Sequence, residues 1–342
     1  MVNKRTLQKE VPFDQYSRQF QVMTIIDNLR SKDSPFKVLD VGGYKGRTAD
    51  FLANDNVTVL DLFDVEEPGY IKGSALDMPF EADSFDFVMS FDVLEHIPAE
   101  KRKTFVKECS RVAKRGVIIS APHRTLANQR AEHILNDLYV GLQGEPHRWL
   151  KEHIEYVIPD FTKVEADIQK QGLHAVAFPS NKLNLWVAMQ QPIFLNSKHP
   201  MAAEKLLELN EYYNRNFEYD GGDLAAESYR KILCCFSSEA DRDRTAEVFG
   251  TMNRKIENGA EIELLGKIQE YYAVLTEKMS QSADDYRGLH EHEKNRAADL
   301  EANGRKLWER INEQDAQIKR LERLRPKAAF RKVTSIIRKR SK

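Results

Sequence analysis

The chain has 342 residues, 41% hydrophobic and 31% charged, which is apolar enough for a buried core but richer in charge than an average domain. The net charge of −1 is uneven: Pro326 to Lys342 carry seven basic residues and no acid, leaving −8 on the remainder. A mildly acidic body argues against nucleic acid as a partner, and the basic tail is a separate electrostatic device. Cys109, Cys234 and Cys235 make no disulfide framework, and no Cys/His spacing predicts a metal site. With no apolar leader pattern and no 18-residue apolar run, a cytoplasmic location is expected.

Residues 1–34 are expected to form a helical segment. From 35 to 122, "FKVLDVG" (36–42), "NVTVLDL" (56–62), "FDFVMSF" (85–91) and "GVIISAP" (116–122) are strand-length and apolar on both faces. Such strands suit the interior of a parallel sheet covered on both sides. Arg47–Ala53 and Pro98–Val112 have helical patterns between them, the second opening on a proline. The alternation predicts an α/β, Rossmann-like doubly wound sheet that binds its ligand at the carboxyl ends of the strands.

Beyond 123 the chain turns mostly helical, with a break at Gly144–Pro146, a helix at 161–171 and a strand near 174–180. A helical insertion at about 181–215 precedes a closing strand in "SYRKILCCFSS" (228–238), so this domain spans 35–240. Over 250–325, Leu265, Ile268, Tyr272, Leu275, Met279, Ser282, Tyr286 and Leu289 alternate three- and four-residue spacings. Leu300, Leu307, Ile311, Ile318 and Leu321 resume them. That period predicts a long helix or coiled coil and a homo-oligomer, and Pro326 ends it. In 326–342, Phe330, Val333 and Ile337 share one helical face among basic residues. This pattern suits peripheral contact with an anionic membrane face.

The chemistry centres on "VLDVGGYKGRTADFL" (38–52), where a strand runs into Gly42, Gly43 and Gly46 and then a helix. Asp61 ends the next strand, where a carboxylate can accept from ribose hydroxyls. A pyrophosphate needs close backbone approach, and Tyr44 and Lys45 crowd this turn. Downstream lies "GSALDMPFEADSFDFVMSFDVLEHIP" (73–98). With these ordered motifs, residues 35–122 resemble the class I S-adenosylmethionine-dependent methyltransferases of the type 11 group.

The resemblance implies S-adenosyl-L-methionine as cofactor. Asp40, Gly42, Gly43 and Gly46 would surround its methionyl part, and Asp61 with Leu62 its ribose. Ala75, Leu76 and Asp77 would face the adenine, and Ser90 and Phe91 the sulfonium. Glu95 and His96 are expected to open the helix after the fourth strand rather than to act in catalysis. Methyl transfer is an in-line displacement in which positioning supplies much of the rate, and a hydroxyl acceptor needs a base. His123, His147 and His153 are the candidate bases or substrate ligands. The segments "HRWLKEHIEYVIPD" and "NEYYNRNFEYDGG" are similar to methyltransferases of bacterial surface-polysaccharide assembly. That similarity implies O-methylation of a sugar or glycan at the inner membrane face. The alternatives are a small-metabolite, lipid or protein acceptor, or a non-catalytic scaffold that retains the fold.

Overall fold

The computed structural model describes residues 3–30, 34–44, 46–219, 227–252 and 259–324. The chain opens with α1 (Lys4–Glu10), capped by the Asn3 side chain, and α2 (Phe13–Asn28). Then come β1 (Lys37–Val41), the short α3 (Thr48–Phe51), β2 (Asn56–Asp61), β3 (Tyr70–Lys72) and β4 (Phe85–Phe91). Two 3-10 turns, Leu94–His96 and Ala99–Lys101, lead into α4 (Arg102–Val112), which passes directly into β5 (Ala113–Pro122). Thr125 caps α5 (Leu126–Gln143), which is followed by α6 (Arg148–Tyr156) and α7 (Phe161–Gln169), the last capped by Asp160. Next are β6 (His174–Lys182), α8 (Leu183–Lys198), α9 (Ala203–Asn216), β7 (Ser228–Phe236), α10 (Glu239–Met252) and α11 (Ala260–Leu324).

The seven strands among the described residues form one sheet in the order β3-β2-β1-β4-β5-β7-β6. All neighbours are parallel except β7, which runs antiparallel to both β5 and β6. The α8–α9 segment between β6 and β7 reverses the chain for that antiparallel entry. Strand order turns back between β1 and β4, so the carboxyl ends of these two strands make the crevice of the sheet.

Period-two alternation divides the core. Leu39, Val41, Val88, Val117, Ile119 and Leu233 face α4 and α7. Val38, Phe87, Met89, Ile118 and Ile232 face α2 and α10. A third apolar cluster joins α5, α6, α8 and α9 to the first turns of α11 through Trp186, Met189, Tyr213 and Leu264. The three cysteines are free and buried, and burial raises their thiol pKa values.

By compactness the chain divides into Met1–Thr276 and Glu277–Lys342. In the first unit, Leu264, Ile268, Tyr271 and Leu275 of α11 are buried, whereas Leu265 is 49% exposed. The early part of the expected heptad repeat is therefore a stripe that covers a globular face, which shares the same spacing. In the second unit, Met279, Tyr286, Leu289, Leu300, Leu307, Trp308 and Ile311 are exposed along α11. Residues 326–342, with the expected amphipathic tail, lie outside the described residues. No helix among the described residues is long and apolar enough to cross a membrane.

Candidate active site

The sequence-predicted cofactor residues gather on the carboxyl edge of β1, β2, β3 and β4. Asp40, near the end of β1, is 1% exposed. Its Oδ2 accepts from the Thr48 hydroxyl at 2.6 Å, while Oδ1 is buried with no hydrogen-bond partner among the described residues. Burial pushes this carboxyl up to about 6, against the Thr48 hydrogen bond. Gly42 follows at φ +79°, with its N–H donating to Leu60 O at 2.7 Å; a Cβ there would also strike Val93. A Cβ at Gly43 would run into the Asp40 carboxylate. These two positions require glycine, one for its backbone angle and one for close approach. The Gly46 N–H donates to Gly43 O at 2.8 Å and closes the turn.

Asp61 ends β2, with Oδ2 accepting from the Tyr44 N–H and Oδ1 from the Phe63 N–H, both at 3.1 Å. Tyr44 does not fill the turn as expected. Its ring lies against Phe63 with centroids 4.7 Å apart, and both rings are partly exposed beside an exposed Leu62. Lys45 lies outside the described residues. After β3, Ser74 pairs with Asp77; Ala75 and Leu76 pack on the core, and Asp77 is exposed. Ser90 is buried, its hydroxyl donating to Val41 O at 3.1 Å. Phe91 packs with Phe87, Met89 and Ile118 in the core.

A second polar group lies just past the ends of β4 and β5. Asp92, at φ +52°, receives Arg230 Nε on Oδ1 at 2.7 Å. Its Oδ2 receives Arg230 at 2.7 Å and Arg18 at 2.6 Å. Burial works against the Asp92 carboxylate, but the two guanidinium groups hold its pKa well below the usual carboxylate range. Arg230, from β7, is 3% exposed and also donates to Asn181. Sequence reading passed over this group because the ends of β4, α2 and β7 meet only in the folded chain; Asp92 in "FDVLEH" was its one local signal.

Glu95 and His96 sit in the 3-10 turn Leu94–His96 and do not begin a helix; α4 starts at Arg102. Glu95 is 0% exposed, and both of its carboxylate oxygens lack hydrogen-bond partners among the described residues. Burial and the Asp92 charge push its carboxyl up to about 8, against His153. His153 Nδ1 is 2.8 Å from Glu132 Oε1, which also accepts from the Tyr229 hydroxyl at 2.9 Å. Burial opposes the charged imidazole, but Glu132 and Glu95 outweigh it and raise the His153 pKa. The His96 ring lies 4.8 Å from that of His153, and burial lowers its pKa to about 4.

The structure separates the three histidines expected as bases. His153 joins Glu95 and His96. His147 precedes α6 with its ring 4.8 Å from Tyr139 and 5.0 Å from Phe194, a packing position in which burial lowers its pKa. His123 follows β5, and its carbonyl accepts from Asn128 at 2.8 Å. Burial and the Lys231 charge lower its pKa to about 4, so its ring is neutral at pH 7 but a weak base.

Asp40, Asp61 and Asp77 make this edge anionic, unsuited to a pyrophosphate and suited to an ammonium, a sulfonium and ribose hydroxyls. The orphaned Asp40 Oδ1 and the glycine cradle fit such a ligand. The magnesium protoporphyrin IX methyltransferase of Synechocystis, solved with bound SAH, is 13% identical and has a TM-score of 0.38, with 70% of this chain and 89% of that one covered. The YcgJ protein of Bacillus subtilis is 14% identical with a TM-score of 0.39, covering 65% and 99% of the two chains. These likenesses bear no part of the assignment. No curated protein matches the chain. A family model described as "Methyltransferase domain" matches residues 39–121, from β1 to the last residues of β5. Residues 39–121 thus match a methyltransferase domain, a match that supports S-adenosyl-L-methionine as the cofactor.

Proposed function

We propose that the chain transfers the methyl group of S-adenosyl-L-methionine to a hydroxyl of a sugar or glycan. The observation that carries the cofactor geometry is the anionic, glycine-lined edge where β1, β2 and β4 end. When bound, the cofactor supplies a methyl group on a positively charged sulfur. Asp40, Gly42, Gly43 and Gly46 hold its amino-acid end, with the Asp40 carboxylate braced by Thr48. Asp61 takes the ribose hydroxyls, and Leu62 offers an apolar rim beside the Tyr44–Phe63 pair. Ala75, Leu76 and Asp77 border the adenine, and Ser90 and Phe91 stand at the end of β4 nearest the sulfonium. His123, neutral at the end of β5, is the candidate to take the acceptor's proton.

The sugar reading is supported by the resemblance of "HRWLKEHIEYVIPD" and "NEYYNRNFEYDGG" to polysaccharide methyltransferases. Labelled-methyl transfer to purified surface glycans tests it; methylation of a lipid, protein or small metabolite in preference to every glycan would refute it. The exposed apolar positions of α11 beyond Glu277 support association with a second copy, read by light scattering of the full chain. Residues 326–342 supply a basic amphipathic contact for anionic lipid, tested by liposome sedimentation with and without them.

A further inference from the structure

We propose that Glu95, His96 and His153 form a binding site for a divalent transition-metal cation of the zinc or manganese type. One ligand atom from each lies within 4.8 Å of the others, so small side-chain rotations close them on an ion with ligand distances of about 2.0–2.2 Å. Two imidazoles with one carboxylate favour such metals over magnesium or calcium, which take oxygen-rich sets.

The surroundings match what metal-binding imidazoles require. Each ring has a carboxylate on its Nδ1 side: Glu132 Oε1 is 2.8 Å from His153, and Glu152 Oε2 is 2.9 Å from His96. The His96 contact is an ion-pair distance rather than an aligned hydrogen bond. Outer carboxylates of this kind fix the ring and turn its other nitrogen toward the metal. His153 Nε2 is buried without a hydrogen-bond partner among the described residues and faces Glu95 Oε1 at 4.0 Å. A fully buried carboxylate that receives no hydrogen bond is costly, and a cation would satisfy both oxygens and the free ring nitrogen together.

The two segments that bring these ligands are also held in register. Arg102 donates to Leu94 O and Ile97 O at 3.1 and 3.0 Å, and to Tyr156 O and Val157 O at 3.1 and 2.6 Å. One guanidinium therefore clamps the turn bearing Glu95 and His96 to the end of the helix bearing His153. Asp92 does not compete for the ion, because Arg18 and Arg230 occupy its oxygens.

The test is calorimetric titration of the chelator-stripped full chain with zinc chloride and manganese chloride, with the visible spectrum of added cobalt(II) as a second readout. One cation should bind per chain, with ligand-field bands shifted from those of the aqueous cobalt ion. His96→Asn, His153→Asn and Glu95→Gln should each weaken binding at least about tenfold. His174→Asn, at an exposed strand start, should bind as wild type. Wild-type protein that binds neither cation below about 100 µM overturns the proposal. So does unweakened binding in both histidine variants. The wild-type cobalt spectrum decides the matter even if a variant does not fold. Titration with S-adenosyl-L-methionine is read separately, so the two assignments fail independently.

Discussion

Two corners of the same sheet edge are built in opposite ways. The corner of β1 and β2 is assembled from one continuous stretch of chain, and its Asp61 is satisfied by two backbone N–H groups. The corner past β4 and β5 draws Arg18 from α2, Asp92 and Glu95 from one loop, His153 from α6 and Arg230 from β7. The Asp92 charge there is balanced by Arg18 and Arg230, side chains distant from it in sequence. The first corner is suited to accept a ligand that comes and goes; the second holds buried charges that only the completed fold brings together. Removing Asp61 from the first should therefore affect cofactor binding, and removing Asp92 from the second should affect stability.

The largest effect should come from Asp92→Ala. It leaves Arg230, 3% exposed, without its bidentate partner, and breaking a buried pair costs about 3 kcal/mol or more. Urea unfolding that shows a loss under about 1 kcal/mol would erase the contrast between the corners.

Asp40 is the exception within the first corner, because it carries a buried charge. Its folded pKa, about 6, lies above the unfolded 3.8. Its protonated form therefore favours folding fully below about pH 4, and that contribution is lost as pH rises through 6. The loss amounts to at most about 3 kcal/mol at ~1.4 kcal/mol per pH unit. Asp40→Asn should retain the contribution, so its stability advantage over wild type grows between pH 4 and pH 7. Parallel stability curves across that range would refute it.

Asp61→Ala should weaken S-adenosyl-L-methionine binding about ten- to a hundredfold, from loss of ~1.5–3 kcal/mol in hydrogen bonds to a charged group. Unchanged affinity by calorimetry would sink the ribose assignment. The smallest effect is expected from ending the chain at Thr276. Unfolding free energy of the first unit should move by no more than about 0.5 kcal/mol, since α11's buried residues Leu264 to Leu275 are retained. A larger loss would show that Glu277 onward contributes to the body.

Much of the fold was legible in the chain. β1, β2, β4 and β5 lie where β-branched runs predicted strands, because strands buried on both faces are apolar throughout. The three-residue β3 was not, since Tyr70–Lys72 is an edge strand with two exposed residues. The helical spacing in α11 was visible, but not which residues it buried. Leu264 and Tyr271 face the body, rather than Leu265, and a period alone does not name the covering surface.

By itself the sequence determined the glycine turn, the acid that ends β2 and the alternation that makes a doubly wound sheet. Each is a local pattern whose physics acts within a few residues. The tertiary structure alone decided that Asp92 meets two arginines and that His153 meets Glu95 and His96. Those partners are brought together by strand order and by the packing of α6 against the turn after β4. Short-range spacing carries no record of that proximity, because burial and charge pairing between distant segments exist only once the sheet is assembled.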